Sequence, residues 1–150
     1  MRIIPRVLIL SLSIPLLLGG CSVPMEVAPM SDFERIPAPL FTAYAPDQAG
    51  QQGKYTDIKV YERRNECTPP QCPLRWHVNL NPRQSPTMFR YGYIPGFGLN
   101  TLRSQDPLQV NTEYVLVLSE RFQKDEDVKG ELYFRIDEQG VVVPLEHGEE

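Results

Sequence analysis

Histidine is scarce in this 150-residue chain: only His77 and His147 are available as bases near neutral pH, and His147 stands in the polar tail His147-Gly148-Glu149-Glu150. The chain has no Gly-x-Ser-x-Gly, no His-Glu-x-x-His and no phosphate-cradling glycine loop. A hydrolase would therefore have to rest on His77 alone, and neither an enzyme nor a bound cofactor is expected. Positive charge is the minority sign, with 15 Lys and Arg against 19 Asp and Glu and a net charge of −4. Such a surface is repelled by phosphate backbones, so nucleic acid is not an expected partner. Long apolar runs are missing too. The longest, Val7–Leu18, has about a dozen residues and is broken by Pro15, whereas a bilayer core about 30 Å thick needs roughly 20. No internal repeat is visible, and after Gly53 no window carries a helical apolar stripe.

What is present begins with order. Arg2 and Arg6 precede the apolar run and the small residues Gly19 and Gly20 follow it, which is the sequence of regions in a secretory signal peptide. Leu18-Gly19-Gly20-Cys21 resembles the lipobox of bacterial lipoproteins. That resemblance covers the first 21 residues and implies cleavage before Cys21, with acylation (palmitate among the chains) of its thiol and amine. Ser22, where an aspartate often retains such proteins on the inner membrane, points by the same resemblance to the periplasmic face of the outer membrane. More than one acyl chain gives firm anchorage, at about 0.8 kcal/mol per buried methylene. On the residues alone, an ordinary cleaved leader with Cys21 as a structural thiol and an uncleaved anchor are the alternatives. Without residues 1–20 the balance is 13 basic to 19 acidic, a net of −6. If Cys21 carries lipid, Cys67 and Cys72 remain as an even pair, and an oxidising periplasm should join them.

Residues 21–53 read as a Pro-rich tether: Pro24, Pro29, Pro37, Pro39 and Pro46 precede the polar stretch Asp47–Gly53. As a flexible coil it would span roughly 30 Å. Phe33, Leu40, Phe41 and Tyr44 are too apolar for pure linker, so part of Ile36–Ala45 is expected to dock as an edge strand, where proline is tolerated.

Residues 54–150 read as one all-β domain. Tyr55–Glu62 is rich in strand formers, with Ile58 and Val60 on one face. Leu74, Trp76, Val78 and Leu80 alternate with Arg75, His77 and Asn79, which places the first set inward and the second outward. In Thr87–Ile94, Phe89, Tyr91 and Tyr93 share one face. Tyr114–Leu118 is apolar on both faces, as suits a central strand. Leu132, Phe134 and Ile136 form a further inward set, and Gly140 turns the chain into Val141–Val143. Leu108–Tyr114 resembles the entry to strand F of immunoglobulin-like and fibronectin type III domains. Tyr114 would be the tyrosine corner and Trp76 the core residue of strand C. The resemblance implies an antiparallel β-sandwich; it departs from the family in lacking an inter-sheet cysteine pair and in having an extra strand at Val141–Leu145.

Three places are candidates for function. Cys67-Thr68-Pro69-Pro70-Gln71-Cys72 reads as a disulfide staple; its alternative is a soft metal site made of Cys67, Cys72 and His77. Phe89–Gly98 concentrates aromatics among glycines, and Tyr91, Tyr93 and Phe97 are the expected anchors for a protein partner or small ligand, against the plainer reading that they pack in the core. Lys124–Lys129 reads as a solvated loop tip. With Arg63, Arg64 and Glu66 near the cysteine loop, its Asp125, Glu126 and Asp127 are expected to share one end of the domain and form a surface of mixed charge. Those carboxylates lack the alternating ligands and glycine of an EF-hand loop. The expected role is a non-enzymatic, lipid-anchored protein that binds or scaffolds another envelope component.

Overall fold

A computed structural model of the chain describes residues 24–46, 53–80, 85–93 and 101–146. Residues 1–20, Cys21, Phe97 and His147 lie outside the described residues. The described residues contain no helix, and their nine strands form two antiparallel sheets packed as a sandwich. The strands are β1 (Glu26–Pro29), β2 (Leu40–Tyr44), β3 (Asp57–Glu62), β4 (Leu74–Asn79), β5 (Met88–Arg90), β6 (Thr101–Gln105), β7 (Thr112–Phe122), β8 (Asp125–Ile136) and β9 (Val142–Pro144). One sheet has the order β1-β2-β5, the other β6-β4-β3-β7-β8-β9.

The period-2 pattern decides what lies between the sheets. Val27, Phe41, Ala43 and Phe89 descend from the small sheet onto Ile58, Val60, Trp76, Val78, Tyr114, Leu116, Leu118, Phe134 and Ile136 of the large one, all buried. Phe41 bridges the layers, 6.0 Å from the Phe89 ring and 5.6 Å from that of Phe134. Trp76 lies 5.0 Å from Tyr91, tilted against it, and its buried indole N–H has no acceptor among the described residues.

Three buried tyrosines each tie a loop to the core by the hydroxyl. Tyr114 accepts from the Gln109 N–H at 2.9 Å, which is the expected tyrosine corner. The Tyr91 hydroxyl donates to the Asp106 carbonyl at 2.5 Å, and that of Tyr55 to the Pro86 carbonyl. Burial raises the pKa of Tyr91 and Tyr55 far above the usual phenol range, so both remain protonated donors.

Two expectations are corrected here. The segment read as tether supplies two strands, and β2 is the middle strand of its sheet, not an edge. Met25, Val27, Phe41 and Ala43 are buried, so a boundary at residue 53 does not separate linker from domain. The prolines are accommodated because Pro29 ends β1, which is an outer strand, and Pro37 and Pro39 fall in the connection before β2. Trp76 is a core residue, but its strand β4 pairs with β3 and β6, whereas the tyrosine-corner strand β7 lies between β3 and β8. Trp76 therefore stands one strand further out than strand C of the immunoglobulin pattern.

Along one side, residues Glu34–Ile36 join the chain around β9 through a bridge between Arg35 and Val141 and hydrogen bonds to Gly140 and Val142. Outer strands β1 and β9 flank a groove of about 460 Å³ lined by Ala28–Asp32 and Val141–Pro144. Pro29 and Pro144 remove donors from the two strands, and the Val142 N–H is already used by the Glu34 carbonyl. These edges are blunted against addition of a further strand.

Replacing Tyr114 by Phe should lower stability by about 1 kcal/mol, because the Gln109 N–H loses its acceptor. Urea unfolding should show an earlier midpoint with an unchanged slope.

Candidate functional site

Alternation leaves Asp57, Lys59 and Tyr61 of β3 on the side of the large sheet facing away from the core, yet every residue of β3 is buried. Two devices cover that outer side. The first is the cysteine loop. Cys67 and Cys72 form a disulfide with Cα atoms 5.4 Å apart, and Cys72 packs with Tyr61, Val115 and Val117, flanked by Tyr133. The loop is thus a staple that folds over the sheet. The proposed metal set of Cys67, Cys72 and His77 is not formed, since both sulfurs are consumed and His77 is bonded to Asp57. No other group of potential ligands is assembled among the described residues.

The second device is a layer of paired charges. His77, expected outward, does project to the outer side, yet it is only 6% exposed. Its Nε2 lies 2.7 Å from Asp57 Oδ1, which also accepts from the Asn79 amide and has Arg121 at 3.6 Å. Thr56 Oγ1 donates to Asp57 Oδ2 at 2.8 Å and accepts from the Arg121 N–H at the same distance. Beside this, the Lys59 ammonium pairs with Glu126, and Ser119 Oγ donates to the same carboxylate at 2.5 Å. Strand register causes the grouping, because Asp57 stands between Asn79 and Ser119 across the sheet, and Lys59 between His77 and Val117.

Burial alone pushes the Asp57 carboxyl upward in pKa, but hydrogen bonds from His77 and Thr56 and the nearby Arg121 guanidinium outweigh it and hold the group below its ordinary value. Glu126 is likewise pushed up by burial and brought lower by Lys59 and Ser119. At the far end of β3, Glu62 is pushed up by burial and lowered by Arg64 and Arg75.

The charge run is solvated at a hairpin tip, as expected, but most of it is strand and not loop. Only Gln123 and Lys124 make the turn, with Gln123 at φ 57°, and Asp125 already pairs with Phe122 in the β7–β8 hairpin. Nor do the run and the arginines share an end: β3 pairs Glu62 with Tyr114 and Asp57 with Ser119, so the hairpin tip beyond Ser119 lies opposite the Arg63–Glu66 end. There Arg63 faces Glu113 at 3.6 Å and stacks over the Tyr133 ring at 5.4 Å, while Arg64 and Arg75 pair with Glu62. Asp127 pairs with Lys129 at 2.9 Å, Asp125 is exposed, and Glu126 turns inward to Lys59.

Tyr91, expected as an anchor, is 2% exposed and belongs to the core, whereas Tyr93 is 61% exposed, because the strand ends at Arg90 and Gly92 adopts φ 82°. What the structure does bring together is the far part of the cysteine loop and the start of β8. Tyr61, Pro69, Pro70, Val117, Glu126, Val128 and Glu131 line an open groove of about 200 Å³. Of these, sequence reasoning singled out only Glu126 as a site residue. A signal for the rest was available: charges at Asp57 and Lys59 within a strand flanked by apolar neighbours require partners, and partners imply a covered outer side.

Comparison with protein-family models, with curated proteins and with solved structures returned no match.

Two outcomes follow from this layer. The folded carboxyl pKa values of Asp57, Glu62 and Glu126 lie below their unfolded values, so their contribution is complete above the usual carboxylate range and is lost as pH falls through the folded values. Denaturant unfolding should lose free energy steadily below about pH 5, with a shallower slope in Asp57→Asn. The double variant Cys67→Ser/Cys72→Ser should unfold about 2 kcal/mol more easily, by the loop-entropy argument for so short a ring.

Proposed function

We propose that this chain is a lipid-anchored periplasmic protein of the outer membrane whose β-sandwich binds another envelope component, a protein, without catalysing a reaction. The observation that carries the binding role is the outer side of the large sheet. There a disulfide-closed loop and a satisfied charge layer hold a groove in fixed shape, which is how pre-organised recognition surfaces lower the entropy cost of binding. The non-enzymatic reading is supported by the use already made of His77, whose Nε2 is engaged by Asp57 inside that layer. Anchorage is supported by the lipobox-like Leu18–Cys21 and by the apolar run before it. The first described strand begins at Glu26, a few residues beyond Cys21, so the domain in this reading stays near the bilayer surface.

Intact mass of the membrane fraction should give a chain starting at Cys21 with added acyl mass, and Cys21→Ala should release the protein from the membrane. In cells, photo-crosslinking residues placed singly at Val128, Met88 and Tyr93 should yield a recurrent envelope-protein adduct at one of these exposed positions. An intact, anchored protein that yields none would defeat the binding role.

A further inference from the structure

Within the binding role just proposed, on which this rests, we propose that the groove between the disulfide loop and β8 receives a single lysine or arginine side chain from an extended segment of the partner protein. The floor and walls come from Val117, Tyr61, Val128, Pro69 and Pro70, an apolar slot that suits a methylene stem. Two carboxylates, Glu126 and Glu131, complete the lining. They are not equivalent. Glu126 is already neutralised by Lys59 and oriented by Ser119. Glu131 is exposed, stands opposite Val117 in the β7–β8 ladder, and has no counter-ion among the described residues.

The slot therefore carries one carboxylate without an ion-pair partner beside apolar walls. A leucine or phenylalanine would desolvate Glu131 without pairing it, and an acidic group would be repelled. A stem ending in a cation meets both requirements, and a volume of about 200 Å³ admits one such side chain. The net charge of −4 favours approach of a basic segment as well. Specificity would come from the segment's neighbours, since an isolated partly exposed ion pair contributes only about 0.2–1 kcal/mol.

The test is a titration of the isotope-labelled native chain, followed by amide NMR shifts, with the blocked tripeptides Gly-Arg-Gly, Gly-Leu-Gly and Gly-Glu-Gly and with putrescine. Gly-Arg-Gly should move the Tyr61, Val117, Val128 and Glu131 amides saturably, and less so at high salt. Glu131→Gln should weaken it about two- to fivefold, within the range of such pairs. Val128→Lys, at a half-exposed position, should abolish it by placing a cation of the chain's own in the slot. Shifts that are absent or scattered, or equal for Gly-Leu-Gly, would overturn the proposal. Putrescine binding as tightly as Gly-Arg-Gly would overturn the peptide as occupant. The titration reads the slot alone: a crosslink at Met88 or Tyr93 with no peptide response would remove this inference and leave the binding role standing.

Discussion

The constraint on which the rest of this structure depends is that β3 is buried on both sides while carrying an acid and a base on one of them. Ile58 and Val60 are held by the sandwich core, but Asp57 and Lys59 lose water without the core's compensation. Removing a single partner from such a group costs more than the pair contributes, because an unpaired buried charge remains. The surrounding strands therefore supply partners: β4 gives His77 and Asn79 and β7 gives Arg121 to Asp57, β8 gives Glu126 to Lys59, and Ser119 of β7 orients that glutamate. These contacts also fix register. A one-residue slip of β3 would put Ile58 and Val60 among the charges and the charges into the core.

The cysteine loop completes the arrangement. By bringing Cys72 over Tyr61, Val115 and Val117 it makes a small second core on the outer side, where an exposed apolar patch would otherwise stand. The groove follows from this placement, because the loop's prolines and Val128 and Glu131 of β8 line it together. One covalent ring of local sequence thus shapes a surface to which three strands, β3, β7 and β8, contribute.

The opposite side of the molecule is organised by aromatic packing and by hydroxyls. Tyr114, Tyr91 and Tyr55 each bury a ring and spend the hydroxyl on loop backbone, so the β6–β7 connection, held at two points, and the residues before β5 are tied to the core that the strands enclose. The proline-bearing strands β1 and β9 flank a groove along one side without offering an unguarded edge.

By itself, the sequence determined the features that depend on local periodicity. These are the all-β class, the inward sets at Ile58 and Val60, at Trp76 and Val78, and at Leu132, Phe134 and Ile136, the central position of Tyr114–Leu118, the tyrosine corner and the Gly140 turn. Side-chain alternation is a property of a single strand, so a single strand reveals it. Only the tertiary structure decided that the proline-rich Glu26–Tyr44 segment belongs to the domain, that Tyr91 is core, and that the Asp125–Asp127 run is strand at the end away from Arg63 and Arg64. It also decided that Asp57, His77, Ser119 and Glu126 meet. Those outcomes depend on which strands are neighbours and in what register, and spacing along one chain carries no information about pairing between segments that lie tens of residues apart.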